Sequence, residues 1–263
     1  MEETLMKKFN NAIVRRPCKA LVNGITSAPE LGKPDYELAL KQHDAYIQAL
    51  KQCGVEVMVL PADERYPDSC FVEDPAVVTR ECAIVTNPGA SSRNGEKHEI
   101  IDALRKFYPE EKIEYIKDPG TLEGGDVMMV GDHFYAGRSA RTNAEGIRQF
   151  IEILEKYGLS GSEVTLEKVL HLKTGVNYLE DNNMLVSGEF VEKPEFEKYN
   201  RIEIPEEEAY AANCIWMNGT VVVPEGFPAV LEAVKKAGYP VITVDTSEYR
   251  KLDGGLSCLS LRF

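Results

Sequence analysis

Cysteine and histidine are scarce in this chain, six and four among 263 residues, so each can be weighed singly. Cys258 closes the run Asp253-Gly254-Gly255-Leu256-Ser257-Cys258, placing a thiol just past two glycines that permit close backbone approach to a ligand. An isolated cysteine on an alternating strand is more often a buried, inert core thiol. His171 opens His-Leu-Lys-Thr-Gly at the head of an expected strand. An imidazole beside a thiol can move protons for it, which alone would make the pair chemically interesting. The other histidines suit structural roles: His43 on the apolar stripe of a helix, His98 in a polar helical turn, His133 in a Gly-Asp-His hairpin connection. Cys18, Cys53, Cys70, Cys82 and Cys214 read mainly as buried thiols. None of the six forms a CxxC pair, and no His/Cys spacing matches a zinc site, so no metal is expected.

Two acidic clusters stand beside them in the reading. One is Asp68-Ser69-Cys70-Phe71-Val72-Glu73-Asp74, the other Glu123-Gly124-Gly125-Asp126, and each precedes an apolar run. Turn chemistry accounts for either cluster taken alone, because Asp and Gly are routine at strand entries. Their position makes them more than that. Both clusters lead into the first strand of a repeated unit, as do His171 and Cys258.

The unit is two short strands, a helix and a third strand. It is read at 71–78, 82–87, 95–107 and 112–116, then at 126–130, 133–137, 143–157 and 163–168. The second helix is clearly marked, with Asn143 as cap, Ile147, Phe150, Ile151 and Leu154 on one face, and Gly158 after its end. A compressed third unit spans 171–179, 183–187, 192–197 and 201–204. The fourth has strands at 213–217 and 220–223 around Asn218-Gly219, a helix at 227–237 and a strand at 240–245. A C-terminal strand at 256–262 joins an N-terminal strand, helix and strand at 11–15, 36–53 and 55–60 as a fifth. Five units closed by the two ends imply a single α/β domain over 1–263, arranged radially around a channel. Equivalent ends of the units would then converge on one axis.

Composition bounds the partners. Hydrophobic residues at 43% can build a core, and no apolar stretch approaches the ~20 residues of a membrane helix. MEETLMKKF carries no apolar export signal, so a cytoplasmic location follows by default. A net charge of −13, spread along the chain, argues against a nucleic-acid surface and accommodates a small cationic substrate.

Longer motifs make the sequence recognisable: PDSCFVEDP at 67–75, LEGGD at 122–126, GRSARTN at 137–143, HLKTG at 171–175, YAANCIW at 210–216 and DGGLSC at 253–258. Through them the chain resembles the dimethylarginine dimethylaminohydrolases, members of the guanidino-group modifying superfamily, especially the bacterial ones. The resemblance runs from Ile13-Val14-Arg15 to Leu261-Arg262-Phe263. It implies a five-bladed α/β propeller and a cofactor-free hydrolase that cleaves methylated arginines to citrulline and a methylamine. It places the nucleophile on Cys258, the acid–base histidine on His171 and its acidic neighbour on Glu123. It puts the guanidinium-binding carboxylate on Asp74, with Glu73 beside it and Asp68 toward the substrate's amino end. Arg93 and Arg141 would hold the substrate's carboxylate, Ile25 would belong to a mobile lid, and Leu252 would offer a main-chain contact. Without the resemblance, Arg93 in its polar loop reads as surface charge. A homodimer rests on family analogy alone.

Rival readings share much of this machinery. An arginine deiminase would release ammonia, and an amidinotransferase would replace water by a second amine. A binding protein for cationic amino acids would not need thiol and imidazole together. A papain-like protease places its cysteine early and its histidine late, the reverse of the order here.

Overall fold

The computed structural model describes residues 9–263, and the leading MEETLMKK lies outside them. Among the described residues fifteen strands form five separate three-stranded sheets with one recurring plan. In the first complete unit β3 (Ala76–Val78) runs antiparallel to β4 (Ala83–Val85), and β4 runs parallel to β5 (Ile113–Tyr115). A parallel neighbour requires a crossover, here α2 (Glu96–Leu104). The plan repeats with β6 (Val127–Val130), β7 (His133–Arg138), α3 (Ala144–Lys156) and β8 (Ser160–Thr165). It repeats again with β12 (Ile215–Met217), β13 (Thr220–Pro224), α4 (Pro228–Lys236) and β14 (Val241–Val244). Another unit is split between the chain ends. β15 (Leu261–Arg262) pairs antiparallel with β1 (Asn11–Arg15), which pairs in parallel with β2 (Glu56–Leu60) after α1 (Tyr36–Gln52).

Local chemistry sets these boundaries. Asp35 caps α1 by accepting Leu38 N–H at 2.9 Å, and Asn143 caps α3 by accepting Gly146 N–H at 2.8 Å. Gly54 and Gly158 follow those helices at φ 79° and 74°. Asn218 and Gly219 turn the β12–β13 hairpin with φ 50° and 92°, the positive pair that a tight hairpin demands. Cores lie between neighbouring units as well as within them. Ile13 and Leu261 of the split unit pack with Val72, Ala76, Val78 and Ala83 of the next. No helix among the described residues is long and apolar enough to cross a membrane.

Several expected elements differ. The strand read over 71–78 is turns until Ala76, because Glu73 and Asp74 spend their backbone on Cys258 O, Phe71 O and Gly124 N–H. In the third unit β9 (Val176–Tyr178), β10 (Asn183–Val186) and β11 (Asn200–Glu203) keep the plan, but its helix is reduced to 3-10 turns at Gly188–Phe190 and Pro194–Phe196. The run 256–262 is not one strand: Ser257–Leu259 is a 3-10 turn, and only Leu261–Arg262 pairs. Likewise His171 precedes a 3-10 turn, Leu172–Thr174, before β9 begins. A 3-10 stretch Glu206–Ala212 and a short helix α5 (Ser247–Arg250) were not anticipated. These irregular entries are where the chemistry sits.

Candidate active site

One cleft is lined by Ile25, Asp68, Phe71, Asp74, Arg93, Glu123, Arg141, Leu170, His171, Leu252, Asp253, Gly254 and Cys258. It gathers nine of the ten site residues expected from sequence. Glu73 is the exception. Its carboxylate faces a second hollow behind the cleft, where it meets Lys173 Nζ at 2.5 Å, Arg262 at 3.3 Å and Ser257 Oγ at 2.8 Å.

Cys258 is the only free cysteine among the described residues that is not buried. Its Sγ lies 3.5 Å from Gly255 N and 3.9 Å from Asn213 Nδ2. Burial, with Glu73 and Asp74 nearby, pushes the thiol up to about 12, against Gly255 N–H and Lys173. His171 stands between two carboxylates: Nε2 is 3.4 Å from Glu123 and Nδ1 is 3.3 Å from Asp126. Burial alone would lower its pKa. Asp126 foremost, then Asp74 and Glu123, reverse that and raise it to about 9, so the imidazole is a cation at neutral pH.

Asp126 belongs to the quoted LEGGD motif, yet its contact with His171 was not foreseen. It is fully buried and accepts Ser139 Oγ at 2.7 Å, Thr142 Oγ1 at 2.6 Å and Leu172 N–H at 3.0 Å. The Ser and Thr of GRSARTN were the signal available in sequence. Glu123 is equally enclosed, accepting Ala90 N–H at 3.0 Å and lying 3.8 Å from Arg141. Burial and Asp74 raise its pKa.

Arg93 is not the surface charge that its polar loop suggested. It is 7% exposed and sits in a nest of acceptors: Asp74 Oδ2, both oxygens of Glu96, and the carbonyls of Asp68 and Phe71. Glu96 pairs with Arg93 from three residues further along, a spacing that is the one sign of it in the sequence. Asp74 also accepts Gly125 N–H at 3.0 Å. Burial opposes its ionisation, but Arg93 and His171 outweigh that and lower its pKa. Asp68 accepts Ile25 N–H at 3.0 Å, joining two residues of the cleft lining, and burial raises its pKa. Leu252 is buried against the cleft and gives its own N–H to Tyr249 O. Asp74, Glu123 and His171 present ligand atoms within 4.8 Å of one another, a spacing that suits a metal ion or a planar cation.

The two glycine pairs serve close packing more than flexibility. A Cβ on Gly254 would lie 2.2 Å from the Phe71 ring, and one on Gly124 would lie 1.9 Å from Glu73 O. On Gly125 it would press against Asp74 and His171 at 2.9 and 3.2 Å.

Comparison with known proteins gives the fold first. The N-terminal domain of ArgZ, an arginine dihydrolase, superposes with a TM-score of 0.86 over 97% of both chains at 18% identity, a likeness of fold alone. The class is thus an α/β fold built of five three-stranded units. The family model for eukaryotic N,N dimethylarginine dimethylhydrolase matches residues 30–201. An N(G),N(G)-dimethylarginine dimethylaminohydrolase of Pseudomonas aeruginosa is 63% identical over 97% of this chain and 100% of its own. The structure of that organism's enzyme as a cysteine-to-serine mutant complexed with citrulline has a TM-score of 0.96 at 62% identity, covering 98% of this chain and 100% of that one. The chain belongs to the dimethylarginine dimethylaminohydrolase family.

Proposed function

We propose that this protein hydrolyses the guanidinium C–N bond of Nω-methylated arginine, yielding citrulline and methylamine or dimethylamine through a covalent adduct on Cys258. The observation that carries this reading is the shared cleft: one accessible thiol, one protonated imidazole and buried carboxylates around a space fit for a planar cation.

A guanidinium is resonance-stabilised and a poor electrophile, so its plane must be fixed with one face toward sulfur. Asp74 and Glu123 do this with charge-assisted hydrogen bonds to its N–H groups. Asp74 has acceptor capacity left, since a carboxylate offers about four lone-pair positions. The bound cation also offsets what holds the thiol up at about 12, so binding favours the thiolate. The sulfur attacks carbon, and His171, already protonated, gives its proton to the departing amine. A thiouronium adduct remains. Neutral His171 then takes a proton from water, the hydroxide adds to carbon, and sulfur leaves as thiolate with the ureido product. Glu123 and Asp126 keep the imidazole oriented through both steps.

The outer residues set which arginine derivative fits. Arg141, whose side chain is 22% exposed, is the cation open to the ligand's carboxylate. Arg93 keeps Asp74 ionised, and most of its N–H groups are already given to Asp74, Glu96 and the carbonyls of Asp68 and Phe71. An amine lacking the carboxylate would leave such a group unpaired, at about 1–3 kcal/mol. Asp68 faces the ammonium end and trades Ile25 N–H for it, while Leu252 contributes its carbonyl. Glu73 acts from behind, fixing the Cys258 turn by accepting Ser257 Oγ and donating its N–H to Cys258 O at 3.2 Å.

The architecture supports closure of the five units into a propeller with this cleft on its axis, because the β15–β1 pair joins the ends and neighbouring units share cores. The chemical reading is tested by mass spectrometry of enzyme quenched during turnover of dimethylarginine. A mass increment on Cys258, lost in Cys258→Ser together with turnover, is expected. Turnover persisting in that variant overturns it.

A further inference from the structure

YAANCIW supplies a residue that the mechanism above leaves idle. Asn213 ends the 3-10 stretch Glu206–Ala212 and is 9% exposed. It lies outside the cleft lining, yet it touches the nucleophile's turn at two points. Its Oδ1 accepts Ser257 N–H at 2.8 Å, and its Nδ2 stands 3.9 Å from Cys258 Sγ. The first contact decides the second. A flipped amide would set N–H₂ against the Ser257 N–H, so the backbone forces the oxygen onto Ser257 and turns the donor toward sulfur. Gly255 N–H reaches the same sulfur at 3.5 Å.

The packing leaves this arrangement little freedom. A Cβ on Gly255 would fall 2.4 Å from Asn213 Cγ, so the glycine lets the amide lie flat against the turn. Tyr210, three residues upstream, holds the other side by donating its hydroxyl to Gly254 O at 2.9 Å. The remaining charged groups around the thiol pull in different directions. Glu73 and Asp74 disfavour thiolate, Lys173 favours it, and the cationic His171 shares the cleft. Two neutral donors aimed at sulfur add a means of receiving negative charge that depends neither on bound substrate nor on the balance of those charges. N–H donors also draw closer to an acceptor once it is ionised.

We propose that Asn213 is a positioning residue for the reaction: its Oδ1 pins the turn that carries Cys258, and its Nδ2, with Gly255 N–H, forms a two-donor cradle for the Cys258 thiolate. The cradle acts twice. It stabilises sulfur before attack on the guanidinium carbon, and again when sulfur departs from the hydrated adduct. No atom is transferred to or from Asn213. This rests on Cys258 being the nucleophile.

The test uses the full chain with Asn213→Asp and Asn213→Leu. Asn213→Asp keeps an oxygen for Ser257 N–H but removes the donor. Asn213→Leu removes both contacts. The primary readout is iodoacetamide alkylation of Cys258 at pH 8 without substrate, which follows the thiolate fraction. A fall of about 10-fold or more is expected in Asn213→Asp, as a pKa rise of about one unit requires. Alkylation should recover as pH is raised, and kcat for dimethylarginine should fall while KM moves less than about 3-fold. Alkylation and kcat unchanged in a folded Asn213→Asp would sink the proposal. Because Asn213→Asp also adds a carboxylate that disfavours thiolate, Asn213→Ala, which removes the donor without adding charge, must show the same fall, and unchanged alkylation in it overturns the proposal. Failure of the nucleophile reading is distinguishable, since turnover would then survive in Cys258→Ser.

Discussion

Three chain segments each send neighbouring side chains to opposite sides of the same wall. Glu73, Lys173 and Ser257 face the rear hollow, while Asp74, His171 and Cys258 face the cleft. At the rear the cations outnumber the acid: one carboxylate is held by Lys173, Arg262 and a hydroxyl. In front the acids outnumber the cations, with Asp68, Asp74, Glu96, Glu123 and Asp126 set against Arg93, Arg141 and His171. Burial first, and neighbouring acids after it, make Asp68, Glu96 and Glu123 harder to ionise than usual, while the acids around His171 make it harder to neutralise. A satisfied cluster holds the wall together, and an unsatisfied one awaits a cation.

Removing a partner from the rear cluster should have the largest effect on stability. Lys173→Met leaves Glu73 buried with only Arg262 and Ser257, and should cost about 3 kcal/mol in denaturant unfolding. A loss below about 1 kcal/mol would show that the rear is not the structural half. In front, saturating the cleft with an arginine-like cation should lower the Cys258 pKa from about 12 by about 1–3 units, read by thiolate absorbance or alkylation rate. No fall on binding would remove the charge imbalance as the reason for thiol activation.

Asp126→Asn sharpens the contrast within the cleft. Losing the foremost cause of the raised pKa should move His171 down from about 9, visible by NMR titration and as a basic limb of kcat at lower pH. The sign for stability follows from linkage. A folded pKa raised above the unfolded value near 6.5 contributes stability fully below pH 6.5, and that contribution is lost as pH climbs through about 9. The variant should lack this dependence. Smallest is a site outside both clusters: Asn143→Ala removes a cap from α3 and should cost about 1 kcal/mol with kcat unchanged.

The regular parts of this molecule were legible because periodicity reports burial. The helix read at 143–157 is Ala144–Lys156, and the Asn218-Gly219 turn lies between its two strands. Legibility fails where side chains at strand entries capture the backbone. A strand was expected over 256–262, but Ser257 N–H is bound by Asn213 and the chain coils into a 3-10 turn. The site residues were identified from motif resemblance, and nine of ten line one cleft. What spacing could not disclose was direction: that Glu73 turns away from Asp74, that Arg93 is sequestered by Glu96, and that Asp126 reaches His171.

The junction of β15 with β1 has a consequence for how the molecule is assembled. The strand beside the nucleophile pairs with one about 250 residues earlier, so closing that ring is entropically dear and belongs late in folding. Until residues 261–262 are made and docked, β1 presents a bare edge to other nascent chains, a hazard during synthesis. Chemical competence and protection from aggregation thus arrive in the same event.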